Sequence, residues 1–152
     1  MLDGVDVLEK ILGRKAFRKY VHILLTDRGS EFSSASLMEN PDGRARRTRV
    51  FYCDPMQSGQ KGSLENNHIA FRCICPKGTD LRAIGLTGQE QLNLALSHIN
   101  SVPVKKLGGK SPLETACFFF PDLYKKLTAF GICPVESDKI VLKPYLLKNT
   151  KR

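Results

Sequence analysis

His22-Ile23-Leu24-Leu25-Thr26-Asp27-Arg28-Gly29-Ser30-Glu31-Phe32 is an apolar run that passes abruptly into a polar turn. Short apolar runs with a β-branched start, bounded by Asp-Arg-Gly-Ser, read as strands, so Val21 to Leu25 is expected to be a buried strand with Asp27 at its end. A second stretch, Gln60-Lys61-Gly62-Ser63-Leu64-Glu65-Asn66-Asn67-His68, reads as a loop feeding a helix, with Glu65 in the first turn. Carboxylates at a strand end and at a helix start are fixed by rigid elements yet open to solvent. Hard oxygen donors so placed suit Mg²⁺ coordination and phosphoryl-transfer chemistry.

Outward from that strand, Val5, Leu8, Ile11 and Leu12 recur at helical spacing, with Asp3 or Asp6 as the capping residue and Lys10, Arg14, Lys15, Arg18 and Lys19 on a basic outer face. Helix then strand indicates an α/β layer. Ser33 to Asn40 forms a short helix stopped by the turn Asn40-Pro41-Asp42-Gly43. The cluster Arg44, Arg46, Arg47 and Arg49 then precedes a second strand, Val50-Phe51-Tyr52-Cys53, closed by Asp54-Pro55. Such a cluster is a solvated loop, or a set of phosphate contacts if a phosphodiester lies nearby.

Met56 to Gly62 is a polar loop, and Ser63 to Cys75 is helical, with Leu64, His68, Phe71 and Cys75 on one face and Pro76-Lys77-Gly78 as its stop. That face makes His68 a core or rim residue. A further helix is expected from Thr87, with Glu90 as capping-box partner, through Leu92, Leu96 and Ile99. Another runs from Leu113 to Phe120, entered at Ser111-Pro112 with Glu114 in its first turn. Beyond Pro121 the periodic signals weaken, and Lys143 to Arg152 reads as a basic tail.

A chain of 152 residues is about one ordinary domain. Twenty-four Lys and Arg against fifteen Asp and Glu leave a formal charge of +9, which draws polyanions, nucleic acid first among them. Five cysteines are an odd number and point to reduced thiols in a cytosol. Cys73-Ile74-Cys75 lacks both the spacing and the second Cys/His pair of a zinc site and reads as packing. No apolar run approaches the ~20 residues of a membrane span. No Ser-His-Asp or Cys-His order and no Gly-rich phosphate loop appears.

Three stretches together resemble the catalytic core of insertion-sequence transposases of the insertion-sequence-thirty family. They are Leu24 to Phe32; Tyr52-Cys53-Asp54-Pro55 to Gln60-Lys61-Gly62 with Glu65-Asn66; and Asn100-Ser101-Val102-Pro103 with Leu107-Gly108 and Ser111-Pro112. The resemblance covers about residues 20 to 116. It implies an α/β fold of the ribonuclease-H-like (integrase catalytic core) type and a DDE triad of two aspartates and a glutamate on two Mg²⁺ or Mn²⁺ ions. Asp27 matches the second aspartate, Glu65 the glutamate, and Arg72, seven residues on and on the same helix face, the basic position near DNA. Lys61 and Asn66 are the companion DNA contacts, and Asp54 has a supporting role.

A two-ion site activates an attacking oxygen and stabilises a leaving one, and it needs several carboxylates around ions about 3.5–4 Å apart. The family's first aspartate comes from an early strand, whereas only 26 residues precede Asp27 and Asp3 and Asp6 read as caps. The expectation is therefore a partial core over 1–120 that lacks the first strands, with a basic extension over 121–152. Loss of those strands exposes an edge and an apolar face, so self-association or docking with an N-terminal half is expected. The implied activity is metal-dependent DNA cleavage and strand transfer in a bacterial cytoplasm, at the nucleoid, with the chain alone inactive. The alternative is a non-catalytic DNA-binding or oligomerising remnant.

Overall fold

Gly13 divides the N-terminal amphipathic pattern into two helices, α1 (Leu2–Leu12) and α2 (Arg14–Tyr20), where the sequence suggested one. Its φ of 74° is in the region that favours glycine; its N–H donates to Glu9 O and its carbonyl accepts from Phe17 N–H. The computed structural model describes residues 2–26, 34–43, 45–54 and 62–148, the side chains of 2, 3 and 62–65 excepted. These fall into two compact units, Met1–Gly62 and Ser63–Arg152.

In the first unit, β1 (Ile23–Thr26) and β2 (Arg49–Tyr52) pair in parallel, with α3 (Ala35–Glu39) in the connection between them. Parallel neighbours require such a crossover. The register places Ile23 beside Arg49 and Leu25 beside Phe51, and all four side chains are exposed. On the opposite face Leu24 and Val50 are partly covered and Thr26 is buried. The expected buried strand is therefore buried on one face only, unlike strands of complete parallel sheets. Val5, Leu12, Phe17 and Met38 are buried in this unit.

Asp6 lies within α1 and is not its cap; its carboxylate pairs with Arg47. Arg47, expected in a solvated loop or on phosphate, is instead buried. Nη1 lies 2.6 Å from Asp6 Oδ1 and 2.7 Å from Glu9 Oε2, and Nε donates to Met38 O at 2.7 Å. The guanidinium carbon is 5.9 Å from the Phe17 ring centroid. The reason is local supply: α1 presents two carboxylates three residues apart, on one helix face.

The second unit contains α4 (Gly62–Ile74, its first residue in the first unit), α5 (Gln89–Ser101), α6 (Pro112–Phe119) and α7 (Pro121–Ala129). Three-ten turns follow at Lys105–Leu107, Ser137–Lys139 and Pro144–Leu146. Ile74, Cys75, Ile84, Ala95, Ile99 and Leu147 form the core, with Ala70 and Phe71 packed against it. His68 is exposed rather than on the core face, and of the Cys-Ile-Cys triplet Ile74 and Cys75 pack while Cys73 is exposed. Burial pushes the Cys75 thiol pKa up, as expected for a packing cysteine.

α5 starts after Gly88, which offers no side-chain cap, so Thr87 does not cap it. α6 has the expected entry: Glu114 N–H donates to Ser111 Oγ at 3.1 Å, and Ser111 N–H to Glu114 Oε2 at 2.6 Å. Those bonds from Ser111 hold the Glu114 carboxyl below its ordinary pKa.

The residues beyond Pro121 join this unit through a polar stripe on α5. Asn93, Ser97 and Ser101 recur every fourth residue and are buried. Asn93 Nδ2 donates to Phe130 O at 2.6 Å, while Ser97 Oγ and Ser101 Oγ each accept at 2.9 Å from the N–H of Cys133 and Val135. Val141 N–H donates to His98 Nδ1 at 3.0 Å. These bonds lead the chain to the turn that buries Leu147, within the stretch read as a tail. Among the described residues no helix is long and apolar enough to cross a membrane.

Candidate functional site

The carboxylates singled out from sequence stand next to the expected elements along the chain. β1 ends at Thr26, the residue before Asp27, and Glu65 belongs to the first turn of α4. Asp27, Lys61 and the Glu65 side chain lie outside the described residues. Asn66 is exposed on α4, Arg72 is exposed in its last turn, and Asp54 is exposed two residues after β2. Among the described residues no three His, Cys, Asp or Glu side chains group as metal ligands would. The donor chemistry of Asp27 and Glu65 suits a hard divalent ion, but two carboxylates fall short of a two-ion cage.

The described residues do bring the basic helix face and the arginine cluster together in one strongly charged feature, an open cleft of about 1020 Å³ within the first unit. Arg14, Lys15, Arg18 and Lys19 contribute from α2, His22 and Ile23 from the start of β1, and Arg46, Arg47, Thr48 and Arg49 from the approach to β2. The cations fall into two groups. Arg14 forks onto Asp42, with Nη1 to Oδ2 at 2.6 Å, and also donates to Ala45 O; its pKa is raised, chiefly by that Asp42 hydrogen bond. Arg46 Nε is 3.3 Å from Glu39 Oε2, and Arg47 is held by Asp6 and Glu9.

Lys15, Arg18, Lys19 and Arg49 are exposed and have no carboxylate partner among the described residues. The signal for α2 was legible as a basic helix face; its convergence with Arg49 depends on a chain reversal that residue spacing alone does not define.

Comparison with known proteins gives two relatives. The chain is 34% identical over 91 residues to the transposase for insertion sequence element IS1086 of Cupriavidus metallidurans, a match covering 60% of this chain and 25% of that protein. It is 25% identical over 97 residues to the transposase for insertion sequence element IS4351 of Bacteroides fragilis, covering 64% of this chain and 28% of that one. No protein-family model and no solved structure matches. The chain thus spans about a quarter of the length of the curated relatives it matches, and over some three fifths of its own residues it is similar to insertion-sequence transposases.

Proposed function

We propose that this chain carries part of a DDE-type transposase core of ribonuclease-H-like architecture, of the insertion-sequence-thirty kind, acting on DNA in the bacterial cytoplasm. The likeness to two insertion-sequence transposases is the observation that carries the reading. The parallel β1–β2 pair, with Asp27 next after one strand and Glu65 on the first turn of α4, supports it.

Asp27 and Glu65 would hold Mg²⁺ or Mn²⁺ through carboxylate oxygens, and such an ion, when bound, polarises a phosphodiester and acidifies water. Lys61, Asn66 and Arg72 bind and orient the DNA strand, neutralising phosphate charge, while Asp54 supports the carboxylate end of the sheet. In the overall reaction water attacks phosphorus, the P–O3′ bond breaks, and the freed 3′-hydroxyl attacks a target phosphodiester with loss of its 3′ oxygen. The two-ion arrangement takes a third carboxylate besides Asp27 and Glu65. The basic cleft favours a second reading, a non-catalytic DNA-binding remnant.

The test is a chimera in which residues 20–116 replace the matching stretch of the IS1086 transposase. Mn²⁺-dependent strand transfer on a pre-cleaved element end, lost with Asp27→Asn and with Glu65→Gln, is expected. Transfer that survives both substitutions, or a folded chimera that binds element ends without cutting them, would refute the catalytic assignment and leave the remnant.

A further inference from the structure

Lys15, Arg18 and Lys19 are separated by three and four residues and so project from one face of α2. Like charges at that spacing oppose helix formation by a few tenths of a kcal/mol per pair, so their grouping is not explained by the stability of α2. Arg49, the first residue of β2, adds a fourth exposed cation to the same cleft. The described acidic side chains around it are already engaged: Asp42 holds Arg14, Glu39 holds Arg46, and Asp6 and Glu9 hold Arg47. Among the described residues the carboxylates thus engage the cations that brace the fold and leave a row of cations without a carboxylate partner.

We infer that this cleft is a track for the phosphodiester backbone of duplex DNA, gripped by Lys15, Arg18, Lys19 and Arg49. The inference rests on DNA being the partner, as proposed above, and adds a contact surface apart from Lys61, Asn66 and Arg72. A compact anion such as free phosphate is held by convergent, buried donors. Here the four cations are all exposed and are spread along a helix and onto a strand start, in an open cleft. Seven residues of α2 span about 10 Å, a length that faces about three phosphates of one strand at ~3.4 Å of axial rise each. Long flexible lysines and the arginine forks contact phosphate without reading bases, so the track fixes position and not sequence.

The experiment measures the affinity of the full chain for a fluorescent random-sequence duplex across a KCl series. Three proteins are compared: wild type, Lys15→Gln/Arg18→Gln/Arg49→Gln, and a control with the same charge loss in the second unit, Lys77→Gln/Lys125→Gln/Lys148→Gln. Each lost phosphate contact lowers the slope of log K against log salt by about 0.9, so the cleft variant should lose about 2.7 and the control little.

A cleft variant with the wild-type slope, or with no greater loss than the control, overturns the track while leaving DNA as the partner through another surface. Wild-type protein that binds polyglutamate as tightly as duplex at equal charge overturns it in favour of an acidic protein. Failure of wild type to bind duplex overturns it as well; the chimera's Asp27 and Glu65 dependence reports separately on the catalytic assignment. Should the variant not fold, acetylation footprinting of unmodified protein decides. Duplex should protect Lys15 and Lys19 and spare Lys77, and equal labelling with and without duplex overturns the proposal.

Discussion

Replacing Arg47 with alanine should open the first unit more than any change to the other arginines near it. Its side chain is 1% exposed, whereas the partners Glu9 and Asp6 are 18% and 50% exposed. Arg47→Ala deletes the cation, leaves Met38 O without its donor, and leaves the largely covered Glu9 carboxylate with Arg14 Nε at 3.9 Å as its nearest remaining cation among the described residues. Removing one partner of a buried ion pair costs roughly 3–5 kcal/mol. Asp6 is half in water and recovers its hydration, so the lower end, about 3 kcal/mol, applies.

A unit of this size has about 3–9 kcal/mol in all, at ~0.05–0.15 kcal/mol per residue, so the loss is a large share. Native-state hydrogen exchange reads it locally. The N–H groups of Arg49 and Cys53, bonded to His22 O and Thr26 O at the ends of the strand pair, should exchange roughly a hundredfold faster. An acceleration below about fivefold, which is ~1 kcal/mol, would refute the buried hub. Removing both sides, Arg47→Met with Glu9→Met, should recover most of the loss, because an apolar pair leaves no stranded charge. A double variant no more stable than Arg47→Met alone would show that uncompensated charge is not the cause.

Two predictions concern the second unit. Burial lowers the His98 pKa from 6.5, and Nδ1 must stay unprotonated to accept from Val141 N–H. The unfolded chain therefore takes up a proton near pH 6.5 that the folded chain refuses, so the unit loses stability as pH falls below that value and none above it. His98→Asn retains an acceptor without a titration, and its urea midpoint should fall less between pH 7.5 and 5.5 than the wild type's; equal falls would contradict this. Gly85, at φ +97°, would place a Cβ 2.7 Å from Leu147 O, whereas Gly78, at φ +79°, has nothing within 4 Å. Gly78→Ala should cost about 1 kcal/mol of backbone strain, and Gly85→Ala at least about 2 because the Leu147 backbone must also move. Equal costs in urea unfolding would show that the close approach is unimportant.

What was legible in the sequence was whatever is encoded within one turn of chain. Ser111, Pro112 and Glu114 announce α6 because the capping box is closed by residues three apart, and Asn40-Pro41-Asp42-Gly43 ends α3 through its own turn chemistry. The alternation of apolar runs and turns likewise located both strands to within two residues. The segment after Pro121 gave no comparable pattern because it is held partly from outside. Backbone groups of 130–141 bond to Asn93, Ser97, His98 and Ser101, residues that look like a polar helix face until a partner covers them. Gly13 misled in the opposite way, since the apolar spacing continues past it while its backbone does not. At the proposed catalytic site the sequence contributes element positions for Asp27 and Glu65, but convergence of carboxylates is a tertiary property that spacing cannot supply.

The cluster Arg46, Arg47 and Arg49 shows why charge counting alone misplaces an interface. On paper the three are equivalent, close along the chain and all next to a strand. In the fold each takes a role set by the nearest carboxylate. Arg47 faces two from α1 and becomes a buried brace; Arg46 meets Glu39 at the rim; Arg49 has none among the described residues and joins the basic face of α2. Because exposed ion pairs contribute little to stability, Arg14 with Asp42 and Arg46 with Glu39 matter less as fasteners than as local neutralisation. They remove positive potential from the margins of the cleft and leave it concentrated along Lys15, Arg18, Lys19 and Arg49. A formal charge of +9 favours polyanions over the whole surface; the proposed track lies where the described carboxylates leave that charge without a partner.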